Sequence, residues 1–106
     1  MAKYLLKVSY TKEGVQGLIK DGGSKRRDSV TKLISDLKGK VEAFYFAFGD
    51  SDALVIVDLP DSPTMAAVSM AVAGTGAVKI STVPLLTPEE IDKASKKSVA
   101  YRAPGK

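Results

Sequence analysis

The chain has 106 residues, 44% hydrophobic and 26% charged, which is the mixture of one globular domain and too little chain for two. It contains neither cysteine nor histidine, which excludes disulfides, iron–sulfur clusters, thiol nucleophiles, Ser-His arrangements and the usual zinc and haem ligands. The net charge is +4, and the surplus lies between Lys20 and Lys40, where seven basic residues stand against three acidic ones.

In chain order, Tyr4–Tyr10 is rich in β-branched and aromatic residues and partly alternates, which predicts a first strand. Thr11 offers an N-cap for a helical pattern carrying Val15, Leu18 and Ile19. Gly22-Gly23 interrupts it, and a second stripe of Val30, Leu33, Ile34 and Leu37 follows, with Gly39 as the stop. Adjacent glycines cost a helix about 1 kcal/mol each, so a kink or short break is expected there. Lys40–Phe48 reads as the second strand, with Phe44, Phe46 and Phe48 on one face. Gly49-Asp50-Ser51-Asp52 is turn chemistry, and the apolar run Ala53–Leu59 completes a hairpin.

After Pro60-Asp61, Ser62 is the expected cap of a helix through about Ala73, with Pro63 at its first position. That helix carries no charge on any side, the pattern of a helix buried on more than one face. Val78–Val83 alternates as a fourth strand. Thr87-Pro88-Glu89-Glu90 is a capping box that opens a short polar helix, leaving residues 99–106 as a tail on a folded core of 1–98. The opening residues lack a signal-peptide pattern, and the uncharged run from Ser62 to Val78 is too short to span a bilayer, so the chain reads as cytoplasmic.

The order β-α-β-β-α-β plus a terminal helix is the split-βαβ plan: an α+β, ferredoxin-like sandwich in one domain, residues 1–106. Helices cover one face of an antiparallel sheet and leave the other bare. Tyr4, Leu6, Val8, Phe44, Phe46, Phe48, Val55, Val57 and Ile80 are assigned to the helix side. The open face then carries Leu5, Lys7, Ser9, Ala43, Tyr45, Ala47, Leu54, Ile56, Asp58, Lys79, Ser81 and Val83. An exposed face with Leu5, Leu54, Ile56 and Val83 is a large apolar patch for a monomer, and a homodimer with a two-fold interface is the expected way to hide it.

Tyr4–Tyr10, Gly22-Gly23 with Lys25-Arg26-Arg27, and Phe44–Asp52 together resemble the GYD-domain family of small bacterial proteins. Pro60-Asp61 and Thr87–Glu90 continue the resemblance over nearly the whole chain. Gly49 and Asp52 match the name-giving motif, whereas Ser51 stands where that motif has its tyrosine. The resemblance implies a dimeric α+β barrel and no particular activity. Related barrels include cofactor-free oxygenases, isomerases and decarboxylases as well as proteins without known chemistry, so the fold alone carries no reaction.

Without His or Cys, acid–base chemistry falls to Asp, Glu, Tyr or Lys, and Asp58, Tyr45 and Lys79 are the candidates because the face assignment points them to the enclosed side. The structural alternative for Asp58 and Lys79 is a plain salt bridge, and it is preferred. Lys7, Ser9, Tyr45, Asp58, Lys79 and Ser81 are the candidate ligand residues, polar groups among small side chains such as Ala43 and Ala47. Arg26, next to Gly22-Gly23, is a candidate anion contact, set against a simple helix break. Asp50 and Asp52 fit no calcium loop, so no metal is expected, and no cofactor.

Two functions follow. The first is a homodimeric small-molecule-binding or cofactor-independent catalytic module. The second is an assembly protein using the uncharged helix after Pro60. Binding of nucleic acid or anions through Lys20–Lys40 is weaker, since no aromatic residues interleave with those charges.

Overall fold

Alternation in the strand segments sorts their side chains to two faces, and the computed structural model, which describes residues 1–106, places one of those faces under the helices. The elements are β1 (Ala2–Tyr10), α1 (Lys12–Asp21), α2 (Gly23–Asp36), β2 (Lys40–Phe46), β3 (Ala53–Leu59), α3 (Ser62–Ala73), β4 (Val78–Leu85) and α4 (Pro88–Ser95). The sheet is wholly antiparallel in the order β2-β3-β1-β4, with β1 and β3 central, as in a ferredoxin-like α+β fold. Leu5 lies opposite both Ile56 and Val83, and Lys7 opposite Leu54 and Ser81.

The core lies between sheet and helices. Tyr4, Leu6, Val55, Val57 and Leu59 from the sheet pack with Ile34 of α2 and with Met65 and Val68 of α3, all buried. Hydroxyl pairs fasten α3 to the central and edge strands, Tyr4 with Ser62 at 2.9 Å and Ser69 with Thr82 at 3.0 Å. No helix is long and apolar enough to cross a membrane.

Several details depart from expectation. The first strand begins at Ala2, two residues earlier, which adds Lys3 to the open face. The break at Gly22 is complete: its φ of +83° ends α1 and starts α2. β2 stops at Phe46, so Phe48 falls in the loop and is fully exposed instead of packing in the core. Asp61, not Ser62, caps α3. Asp61 has the extended φ of −159°, and its carboxylate accepts from the Thr64 N–H at 2.9 Å. β4 continues through Pro84 to Leu85, which an edge strand tolerates because a missing N–H there breaks no inner ladder. The uncharged α3 buries only Met65 and Val68, leaving Ala66, Ala67, Met70 and Ala71 exposed in the single chain.

Candidate functional site

The register fixes how the open face is laid out. From one end of the strands to the other, successive rows across the sheet run Lys40–Asp58–Lys3–Leu85, then Ala43–Ile56–Leu5–Val83, then Tyr45–Leu54–Lys7–Ser81, and last Ser9–Lys79. The middle is therefore apolar and the two ends are polar. Leu5, Leu54, Ile56 and Val83 are each only partly buried, because no layer of the same chain covers them.

At the first end, Lys3 Nζ lies 3.0 Å from Asp58 Oδ1 and also bridges to Glu42. The β2–β3 register shifts between Val41 and Ala43, which leaves Glu42 without a partner on β3 and lets it reach Lys3. Burial pushes the Asp58 carboxyl up. The hydrogen bonds from Lys3, and its charge, outweigh that and hold it below its ordinary value. Lys3 is raised above its ordinary value, chiefly by its hydrogen bond to Glu42 and then by that to Asp58. Asp58 is thus a paired carboxylate, and its partner is Lys3. The pairing of Asp58 with Lys79 expected from the sequence does not form. Lys79 lies opposite Ser9 and Asp58 opposite Lys3, six residues apart along β1, about 20 Å.

At the other end four expected ligand residues come together. Lys7, Ser9, Lys79 and Ser81 line a concave patch of about 300 Å³, joined by Asp50 and Ser51 from the β2–β3 loop. Neither lysine has an ion pair, and Asp50 on the rim is the only carboxylate among the lining residues. Tyr45 sits in the row of Lys7 but two strands away, roughly 10 Å, with its ring mostly exposed. One chain therefore does not assemble Asp58, Tyr45 and Lys79 into a single site.

Of the two motif residues, Asp52 has structural work. Asp52 accepts from the Tyr10 N–H at 2.7 Å through its carboxylate, and its own N–H donates to the Val8 carbonyl at 2.7 Å, which clasps the hairpin loop to β1. Gly49 is exposed with open space around it. No group of three or more acidic side chains gathers to hold a metal ion.

Arg26 lies on the opposite side of the sheet, in the first turns of α2. It lines a cleft of about 260 Å³ with Tyr10, Leu18 and Val72 among its walls. Lys3, Tyr10 and Gly17 are the residues that sequence reasoning missed. For Lys3 the signal was present, since extending the β1 alternation back two residues puts it in line with Leu5 and Lys7. For Tyr10 and Gly17 no local pattern pointed to the cleft.

A family model described as the GYD domain matches residues 4–95. No curated protein and no solved structure matches the chain.

Proposed function

We propose that this chain, which belongs to the GYD-domain family, is a homodimeric module that binds a small organic anion on its open sheet face. The observation that carries this reading is the contrast along that face. An apolar band of Leu5, Leu54, Ile56 and Val83 is left uncovered beside two lysines that no carboxylate engages. Packing two such bands together removes them from water at about 25 cal/mol per Å² buried, the usual drive for self-association. Lys7 and Lys79 then face a drier space, where an unpaired charge is costly, and an anionic ligand supplies the missing counter-charge. The hydroxyls of Ser9, Ser51 and Ser81 add hydrogen bonds, and the apolar band receives the body of the ligand. At the far end Lys3 already neutralises Asp58, so the ligand is oriented with its negative group toward Lys7 and Lys79.

Native mass spectrometry on gently purified protein tests this. The expected result is a dimer at micromolar concentration, which Ile56→Glu converts to a folded monomer. An added mass on the dimer is expected to disappear in Lys7→Ala/Lys79→Ala. A monomeric wild-type protein overturns the reading, as does a ligand retained after both lysines are removed.

A second reading is favoured by one observation. The outer face of α3 is apolar, uncharged and exposed along Ala66, Ala67, Met70 and Ala71. On this reading α3 packs against further copies in a larger assembly. Dissociation by Met70→Glu, with Ile56→Glu having no effect, would favour it.

A further inference from the structure

Helix α1 contains two interior glycines, and only one is explained by packing. A Cβ on Gly14 would lie 2.0 Å from the Ala77 carbonyl oxygen, so no side chain fits. A Cβ on Gly17 would meet nothing within 4 Å, and Gly17 has ordinary helical backbone. Glycine at such a position destabilises a helix relative to alanine. The space it leaves is the cleft of about 260 Å³ between α1, the start of α2 and the α3–β4 connection.

Two polar side chains without partners line this cleft. Arg26 is half-buried, and its guanidinium makes no hydrogen bond or ion pair; the phenol of Tyr10 has no partner either. No buried side-chain nitrogen or oxygen in the molecule lacks a partner, so both groups remain accessible rather than sealed in the core. Leu18, Val72 and Val78 make the apolar wall. The cleft shares Tyr10, Arg26, Val72 and Val78 with a smaller pocket of about 50 Å³, where Arg26 is the only charged residue among mostly apolar ones. Glu13 and Asp21 also line the cleft, and Asp21 faces Lys25 at 3.7 Å.

We propose that this cleft is a second binding site, distinct from the open sheet face, for a small amphipathic monocarboxylate. The carboxylate takes the paired N–H donors of Arg26, with the Tyr10 hydroxyl as a further donor, and the apolar tail lies along Leu18, Val72 and Val78. Glu13 and Asp21 repel a second negative charge, so dicarboxylates, phosphates and nucleic acid are discriminated against. The missing side chain of Gly17 is what keeps the tail's place vacant.

The test is a titration of the isotope-labelled protein, followed by amide NMR, with 4-methylpentanoate and phenylacetate as probes and inorganic phosphate as the contrast. Both carboxylates are expected to shift Gly14, Gly17, Arg26, Val72 and Val78, and phosphate to leave them in place. Arg26→Met should weaken binding about tenfold or more, and Tyr10→Phe a few-fold. Gly17→Leu projects a side chain from a position where a Cβ meets nothing within 4 Å, so it should abolish binding while raising the unfolding midpoint; it decides the matter even if Arg26→Met fails to fold. Absence of shifts at these amides overturns the site, and so does binding that survives Gly17→Leu or equal shifts with phosphate. Shifts confined to Lys7, Ser9, Lys79 and Ser81 would overturn this cleft while supporting the open-face site.

Discussion

The Lys3–Asp58 bridge shows how one residue's surroundings set its chemistry. Its carboxylate holds a lowered pKa, so it stabilises the fold above its unfolded value near 3.9, and that contribution is lost as pH falls through the folded value. Lys3, raised, contributes below its unfolded value near 10.4 and loses that as pH rises through its folded one. The bridge therefore acts between about pH 4 and pH 10. Asp61 and Glu90 are also lowered, the first chiefly by the Thr64 hydroxyl and the second by the Thr87 N–H. Asp58→Asn should accordingly make the acid limb of stability shallower without flattening it, as read from urea unfolding between pH 2.5 and pH 7. An unchanged acid slope would show that the bridge carries no such linkage. Gly39 makes a different point at the same scale. It reads as a helix stop, yet helix α2 ends at Asp36 and Lys38 takes the positive φ. Gly39 is needed because a Cβ there would lie 2.4 Å from the Asp58 carbonyl oxygen.

Among the helices packed on the sheet, α1 is weakly secured, burying only Gly14. Its hold on the sheet depends on Thr11, whose hydroxyl accepts from the Gly14 N–H at 3.3 Å and donates to the carbonyls of Gly76 and Ala77 at 3.0 and 3.1 Å. Thr11→Ala should cost about 1 kcal/mol in urea unfolding, with Thr11→Ser recovering most of it. A neutral Thr11→Ala would mean that the backbone bond from Thr11 to Ala77, at 3.0 Å, suffices. The cap of α3 illustrates why element boundaries slip by a residue. Asp61 and Ser62 are adjacent and both can cap, and only the chain's direction on leaving β3 selects Asp61.

At the scale of the molecule, the Cα radius of gyration is 16.8 Å, against about 13 Å for a compact domain of this length. The difference comes from the segment after β4: α4 buries no residue, and every residue from Pro88 onward is exposed. The capping box at Thr87 and Glu90 forms in full, so α4 is held by its own local bonds rather than by packing. A chain ending at Thr87 should keep its unfolding free energy within about 0.5 kcal/mol of the full chain, measured in urea at one protein concentration. A loss well beyond that would place the segment against a second copy.

The sequence by itself determined the element order, the ferredoxin-like plan and the face to which most strand residues point, because strand alternation and glycine, proline and capping signals are local. It also supplied Lys7, Ser9, Lys79 and Ser81 as a group, since alternation on β1 and β4 puts each on the open face. Only the tertiary structure decided which of the open-face charges meet. Register along β1 separates Asp58 from Lys79 by the length of a strand and joins Asp58 to Lys3, and no local pattern encodes that offset. The Arg26 cleft was illegible for the same reason. Its walls come from β1, α1, α2, α3 and the approach to β4, and the vacancy beside Gly17 exists only once those elements are packed around it.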